Sequence, residues 1–255
     1  MKTRPSLQSL LFGLLLFCAP AVSLVSAKST APEAIVSANI KCLSLGRDLR
    51  GVDMYLTPEK RLPVHAAASY ISANHSYRGP QIVTFVRSKN ATPVATPAGA
   101  PTGTPPEPAV LATVELPPTG GDYLFLFSGS ADTKLEVVAV PFSSGDVPLG
   151  SCLVWNITQR SLGVMLGGDR SLLAPSQRRI FRPSALTKDY VDFRIFDEYQ
   201  GAPRSLAGGP HLLKDNSRQL IFLVDRTPGG IPVQIRVIEE MPEQPAAPIV
   251  ASARR

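Results

Sequence analysis

The chain contains few side chains that could perform catalysis or bind a metal. None of its three histidines, His65, His75 and His211, has the His-Glu-x-x-His spacing of a helical zinc site. The sequence also lacks a Gly-x-Ser-x-Gly nucleophile elbow, a phosphate-binding glycine loop before Lys-Ser or Lys-Thr, and a dinucleotide fingerprint. It therefore predicts a protein that is not an enzyme and has no catalytic residues, metal site or cofactor.

Neighbouring carboxylates are the best candidates for hydrolytic chemistry. Asp197 and Glu198 are adjacent, and Asp192 lies close by in sequence. Two carboxyl groups at a suitable separation can cleave a glycosidic bond. Successive side chains of a strand point to opposite faces, however, so Asp197 and Glu198 do not line one cleft unless a bulge intervenes. We expect these residues to form a solvated strand end.

Positive charge is modest, with a formal net charge of +6 over 255 residues. The densest basic stretch comprises Arg170, Arg178, Arg179 and Arg182. We expect it to be a solvated strand face and turn, and an anion site is the alternative. A small basic excess without one concentrated face argues against nucleic acid as a partner.

Two stretches of the chain resemble each other. Cys42 and Cys152 begin similar apolar segments, and Leu56 and Leu166 end them; both pairs are 110 positions apart (152 − 42 and 166 − 56). Further on, 83–85 aligns with 191–193. A repeat of this length predicts one small domain copied once.

The segments within each copy have the period of strands. Val191, Phe193 and Ile195 alternate with polar residues, which is typical of half-buried strands. The 25 prolines disfavour long helices. We predict an all-β fold of two tandem immunoglobulin-like antiparallel β-sandwich domains, 33–142 and 150–240, with about seven strands each. An up-and-down barrel is the alternative for a single copy.

Some apolar residues indicate how the two copies meet. The segment 123–127 is apolar on both faces, with Leu124 and Leu126 opposite the aromatic residues, so a domain–domain contact is expected. Trp155 is interpreted as a core residue, because its counterpart in the first copy, Leu45, is aliphatic. A sugar-stacking platform is the alternative.

Cys42 and Cys152 have two interpretations. In an oxidising compartment they could form a disulfide. Because they hold matching places in separate copies, each is also explained as a small buried strand residue.

Three segments lie outside the predicted sandwiches. Residues 1–27 have the positive start, apolar stretch and small-residue end of a secretory signal, which predicts a secreted or periplasmic protein. No other segment is long and apolar enough for a membrane span. The proline-rich loop 90–108 and the tail 241–255 are predicted to be disordered.

At the level of whole strands, the chain resembles secreted bacterial proteins of uncharacterised function that are built from two tandem β-sandwich repeats. The resemblance rests on four segments: Ile40 to Leu45 with Val52 to Leu56, Cys152 to Asn156, Leu172 to Pro183, and Leu220 to Val237. It implies no reaction and transfers no site. We expect an exported, non-catalytic binding or structural protein whose partner is a protein or a cell-envelope glycan. A carbohydrate-binding accessory module, which needs an exposed aromatic row, and a hydrolase with an unrecognised site are the alternatives.

Overall fold

The computed structural model describes residues 34–57, 60–88, 109–132, 134–183, 189–199, 201–225 and 233–241. The predicted leader 1–27, the loop 90–108 and the tail beyond Met241 lie outside these residues. No helix within the described ranges has the length and apolar character to cross a membrane. The described residues form sixteen strands: β1 (Ile35–Ser44), β2 (Leu49–Tyr55), β3 (Arg61–Ala66), β4 (His75–Pro80), β5 (Ile82–Arg87), β6 (Val110–Glu115), β7 (Gly121–Gly129), β8 (Leu135–Pro141), β9 (Cys152–Asn156), β10 (Leu162–Leu166), β11 (Asp169–Leu173), β12 (Arg178–Phe181), β13 (Tyr190–Tyr199), β14 (Ala202–Leu212), β15 (Arg218–Asp225) and β16 (Val233–Glu240).

The strands form four sheets of four, two in each copy. The first copy contains sheet A (β4-β1-β7-β8) and sheet B (β3-β2-β5-β6), and the second contains sheet C (β12-β9-β15-β16) and sheet D (β11-β10-β13-β14). Each strand of the first copy has its counterpart eight strands later, and the parallel pairs β1–β7 and β9–β15 also correspond. The predicted duplicated all-β sandwich is therefore confirmed.

The described residues of each copy form eight strands, where the sequence indicated about seven. Edge strand β4 explains part of the difference, because Tyr77 is its only large buried side chain and its hydrophobic alternation is therefore weak.

A β-bulge shows the duplication at the level of single residues. The pairing of β5 with β6 shifts between Phe85 and Val86, which leaves Leu111 without an opposite residue. The pairing of β13 with β14 shifts between Ile195 and Phe196, which likewise leaves Leu206 without an opposite residue. Both bulged leucines pack against the core of their own sandwich. This match places Phe85 on Ile195, an offset of 110 (195 − 85).

The bulge corrects one alignment made from sequence. Matching 83–85 with 191–193 was two residues out of register. The hydrophobic pattern could not reveal this error, because a shift of two leaves every strand side chain on its original face. A similar shift of two residues affects the first strand of each copy, so the predicted match of Cys42 with Cys152 was wrong: Cys42 corresponds to Val154, and Cys152 corresponds to Ile40. Leu45 and Ile157 donate equivalent backbone hydrogen bonds to the Phe127 and Leu223 carbonyls, an offset of 112 (157 − 45).

Three apolar layers hold the described chain together. One fills the first sandwich, between sheets A and B, and another fills the second, between sheets C and D. The third, called the middle layer here, lies between the outer faces of sheets A and C. Its buried residues are Leu43, Leu124, Leu126, Val140, Phe142, Val147, Leu153, Leu220, Phe222 and Ile238. The predicted domain–domain contact is therefore confirmed, with Leu124 and Leu126 at its centre.

Polar contacts fix the two sandwiches to each other at the edges of the middle layer. The guanidinium group of Arg236 donates to the backbone oxygens of Leu45 and Ser44, each at 2.7 Å. Because partial burial removes water from this side chain, the pKa of Arg236 is lower than usual. Glu240 also accepts hydrogen bonds from Lys41 of the first sandwich and Arg218 of the second.

Arg218 also orders the segment that connects the copies. Its Nη1 atom donates to the carbonyl oxygens of Ser143 at 2.9 Å and Val147 at 2.8 Å. Its Cζ atom lies 3.9 Å from the centre of the Phe142 ring. A buried cation with this many partners holds the connector against the second sandwich.

Candidate functional site

The outer face of sheet D carries an open groove of about 550 Å³. Its position follows from the alternation of β10, whose residues Leu162, Val164 and Leu166 point into the core. Gly163 and Met165 must then point outward, and they form the floor of the groove.

Strand register arranges the lining of the groove into two rows. In the first row, Gly163 lies opposite Leu172 of β11 on one side and Phe196 of β13 on the other. In the second row, Met165 lies between Arg170 of β11 and Arg194 of β13. The first row, called the slot, is apolar and lies between Leu172 and Phe196. The Phe196 side chain rests against the glycine, since its Cβ and Cδ2 atoms are 3.4 and 3.8 Å from the place that a Cβ atom on Gly163 would take. The second row places two cations on either side of a methionine.

Local contacts set the position of Arg194. Its Nε atom donates to Asp192 Oδ2 at 2.9 Å, so the terminal nitrogens of the guanidinium group remain as donors. Gly208 of the edge strand lies opposite Arg194, and a Cβ atom there would come within 2.9 Å of Arg194 Cγ. The absence of a side chain at Gly208 therefore leaves room for the arginine stem.

The groove continues beyond Arg194 along the last two strands of sheet D. A second depression of about 280 Å³ lies over β13 and β14 and is lined by Asp192, Arg194, Ser205 and the segment 206–209. Arg194 borders both depressions. Together the two depressions reach across sheet D from β11 to β14.

The first copy differs from the second at two positions of the groove. At the offset of 110, the counterpart of Gly163 is Asp53, which lies opposite Pro63 and Val86 and is only 6% exposed. The counterpart of Arg194 is Thr84. Since both copies fold in the same way, the fold itself does not require a glycine or an arginine at these positions.

A second cavity, of about 280 Å³, lies where the two sandwiches meet. It is lined in part by Lys41, Arg218 and Glu240, whose charges pair with one another. Asn39 of its wall donates to Asp122 at 2.8 Å. Because Lys41, Arg218 and Glu240 serve the contact between the copies, the groove on sheet D is the stronger candidate for ligand binding.

The predicted acidic residues form ion pairs across and along strands. Arg204 donates to Asp197 through Nε at 2.9 Å and Nη2 at 2.6 Å. These hydrogen bonds lower the pKa of the Asp197 carboxyl group. Asp192 instead holds Arg194 at the groove. The structure does not bring Asp197 and Asp192 together as a pair of acids.

The histidines lie apart in the structure. His65 is exposed on β3 near Tyr70, with 6.4 Å between ring centres, and His75 is half-buried on β4. His211 Nε2 lies 2.6 Å from Gln219 Oε1, so this nitrogen carries the proton in that hydrogen bond. No group of three metal-binding side chains occurs in the described part of the chain.

Both cysteines are free thiols, each in a different core. Burial raises the pKa of Cys42 to about 12 and that of Cys152 to about 12. Cys152 Sγ also lies 3.8 Å from Gln219 Oε1. Neither sulfur is placed for nucleophilic chemistry, since the reactive thiolate is disfavoured in both.

Two arginines of the basic stretch noted in the sequence stack on aromatic rings. Arg178 lies 5.1 Å from the centre of the Trp155 ring, and Arg179 lies 5.4 Å from that of Phe181. Trp155 itself packs at the margin of the middle layer and donates to the Ser176 carbonyl oxygen at 3.1 Å. Two exposed tyrosines, Tyr70 and Tyr190, are in different sandwiches.

Comparison with known proteins adds no assignment: the chain matches no protein-family model and no curated protein. Of the groove residues, only Arg170 was a candidate from sequence, as part of the basic stretch. The residue types of Gly163, Met165 and Phe196 do not by themselves indicate a binding site. The difference between Asp53 and Gly163, at matching positions of the two copies, could have indicated the groove from sequence.

Proposed function

We propose that the protein is an exported, non-catalytic binding protein of the cell envelope, with its ligand site in the groove on sheet D. The groove supports this proposal because it departs from the duplicated fold at Gly163 and Arg194, where the other copy has Asp53 and Thr84. Residues that serve only folding need not differ in this way. The joined sandwiches support a role as a rigid carrier of this surface, and the secretory pattern of 1–27 supports its location.

Retention of envelope material by the immobilised protein, beginning at Lys28, tests the proposal. Gly163→Asp puts the residue of the first copy into the slot, so it should abolish retention of at least one component. Gly46→Asp is the matched control, because Gly46 lies in a turn with nothing within 4 Å of an added Cβ atom. Equal retention by all three proteins would refute a ligand site in the groove.

A further inference from the structure

The geometry points to an extended acidic peptide as the ligand of the groove, with an apolar side chain in the slot and an acidic side chain two residues away between the arginines. This inference rests on the proposed function and names its ligand class.

Spacing is the first argument. The slot row and the arginine row are two residues apart along each strand, from Gly163 to Met165. A strand rises about 3.3 Å per residue, so the rows are separated by about 7 Å. Alternate side chains of an extended peptide have the same separation and point to the same side. A peptide that runs along β10 can therefore fill both rows at once.

Charge is the second argument. Arg170 and Arg194 stand on the two strands that flank β10, about 10 Å apart at the backbone because neighbouring strands lie about 4.8 Å apart. The Arg194 side chain is 52% exposed, and Arg170 is exposed as well. Guanidinium groups bind carboxylates with directed, charge-assisted hydrogen bonds. Within the described residues only Asp192 forms an ion pair with Arg194, so a second carboxylate has donors to bind.

The slot provides the third argument. Leu172 is 71% exposed although it is a large apolar residue, and its neighbour across Gly163 is Phe196. Burial of an exposed leucine and half of a phenylalanine ring against a ligand is favourable. An apolar-x-acidic pattern in an extended peptide fits both rows.

The probe for this inference is the labelled, end-blocked peptide Ser-Phe-Ser-Glu-Ser, titrated by fluorescence anisotropy. We expect saturable binding that weakens as ionic strength rises. Replacement of the peptide Glu by Gln should weaken binding about tenfold, since a charge-assisted bond is lost. Moving the Glu next to the Phe should have a similar effect, because the acid then points away from the arginines.

Protein variants separate direct charge recognition from a structural effect. Arg194→Thr copies the first-copy residue and should make the Glu and Gln peptides bind with equal affinity. Arg50→Thr is the matched control, because it removes an arginine that is 78% exposed and lies on β2 of the other sandwich. This variant should retain the preference for Glu. Thermal unfolding of each variant checks that the fold is intact.

Two results would overturn the inference. One is that Ser-Phe-Ser-Glu-Ser binds no better than its Lys counterpart; the other is that Arg194→Thr retains the preference for Glu over Gln. A parallel titration with pectate, an acidic polysaccharide, distinguishes this failure from failure of the proposed function. Pectate binding that depends on Arg194, without peptide binding, would keep the groove as a ligand site and replace the peptide by a glycan. If neither probe binds and Gly163→Asp retains envelope material like the wild type, both proposals fail.

Discussion

Gly163 and Asp53 occupy the same position in two copies of one fold. Each is an outward residue of the second strand of its copy, one position after a buried residue of the core. Asp53 is buried on the outer face of sheet B, whereas Gly163 opens a slot between Leu172 and Phe196. The duplication thus supplies an internal control, because the first copy shows that the fold accommodates an aspartate at the glycine position.

The middle layer should make the two sandwiches unfold together. Leu126 is buried between sheets A and C, so Leu126→Ala removes apolar contacts and leaves a cavity, at a cost of about 2–5 kcal/mol. Denaturant unfolding followed by fluorescence and circular dichroism measures this cost. Ile35→Ala is the control, since Ile35 is 69% exposed and should change stability by less than about 0.5 kcal/mol. Two separate transitions in the wild type would contradict a shared apolar layer.

Cys42 and Cys152 should remain unbonded even if the protein enters an oxidising compartment. They lie in different cores and are held as thiols with raised pKa values. A chain that begins at Lys28 has lost Cys18, so two thiols remain of the three. We expect a thiol reagent to modify neither residue in the native state and both after unfolding. A mass two hydrogens lower under non-reducing conditions would instead reveal a disulfide.

The ion pair of Asp197 with Arg204 should make stability depend on pH in the acid range. Its hydrogen bonds lower the pKa of Asp197 in the folded protein, so the pair stabilises the fold above the unfolded value of about 3.9. This stabilisation is lost as pH falls through the lower folded pKa. The difference in unfolding free energy between wild type and Asp197→Asn should therefore disappear at low pH. In an Arg204→Gln background, the same substitution should have little effect at any pH, and a full effect there would argue against the pair.

The exported protein should begin near Lys28. Residues 25–27, Val-Ser-Ala, provide the small residues that precede a signal cleavage site. Intact-mass and N-terminal peptide analysis of the exported form can locate the first residue. Recovery of a product that retains 1–27 would rule out this processing.

Hydrophobic pattern was sufficient to predict the sandwich class, the duplication and a contact through one face of the strand 123–127, because these depend on which face a side chain occupies. It was insufficient for register. A slip of two residues preserves the alternation, so matching 83–85 with 191–193 was an acceptable pattern and the wrong alignment. The bulges at Leu111 and Leu206, which correct it, depend on hydrogen-bond geometry between strands.

The groove was not predictable from residue types alone. Its slot is defined by a glycine, and its arginines lie on β11 and β13, which are distant in sequence and become neighbours of β10 only through strand pairing. Arg170 lies in the same basic stretch of the sequence as Arg178 and Arg179, yet those two stack on aromatic rings. The partner of Arg170 across the groove, Arg194, is 24 positions away (194 − 170).

Hydrogen–deuterium exchange of the protein with and without an envelope extract tests the central claim most directly. If the ligand site is the groove on sheet D, protection should be concentrated in peptides from β10, β11, β13 and β14 and should be lost in Gly163→Asp. Protection confined to sheet B or to the cavity between the sandwiches, unchanged by Gly163→Asp, would contradict it.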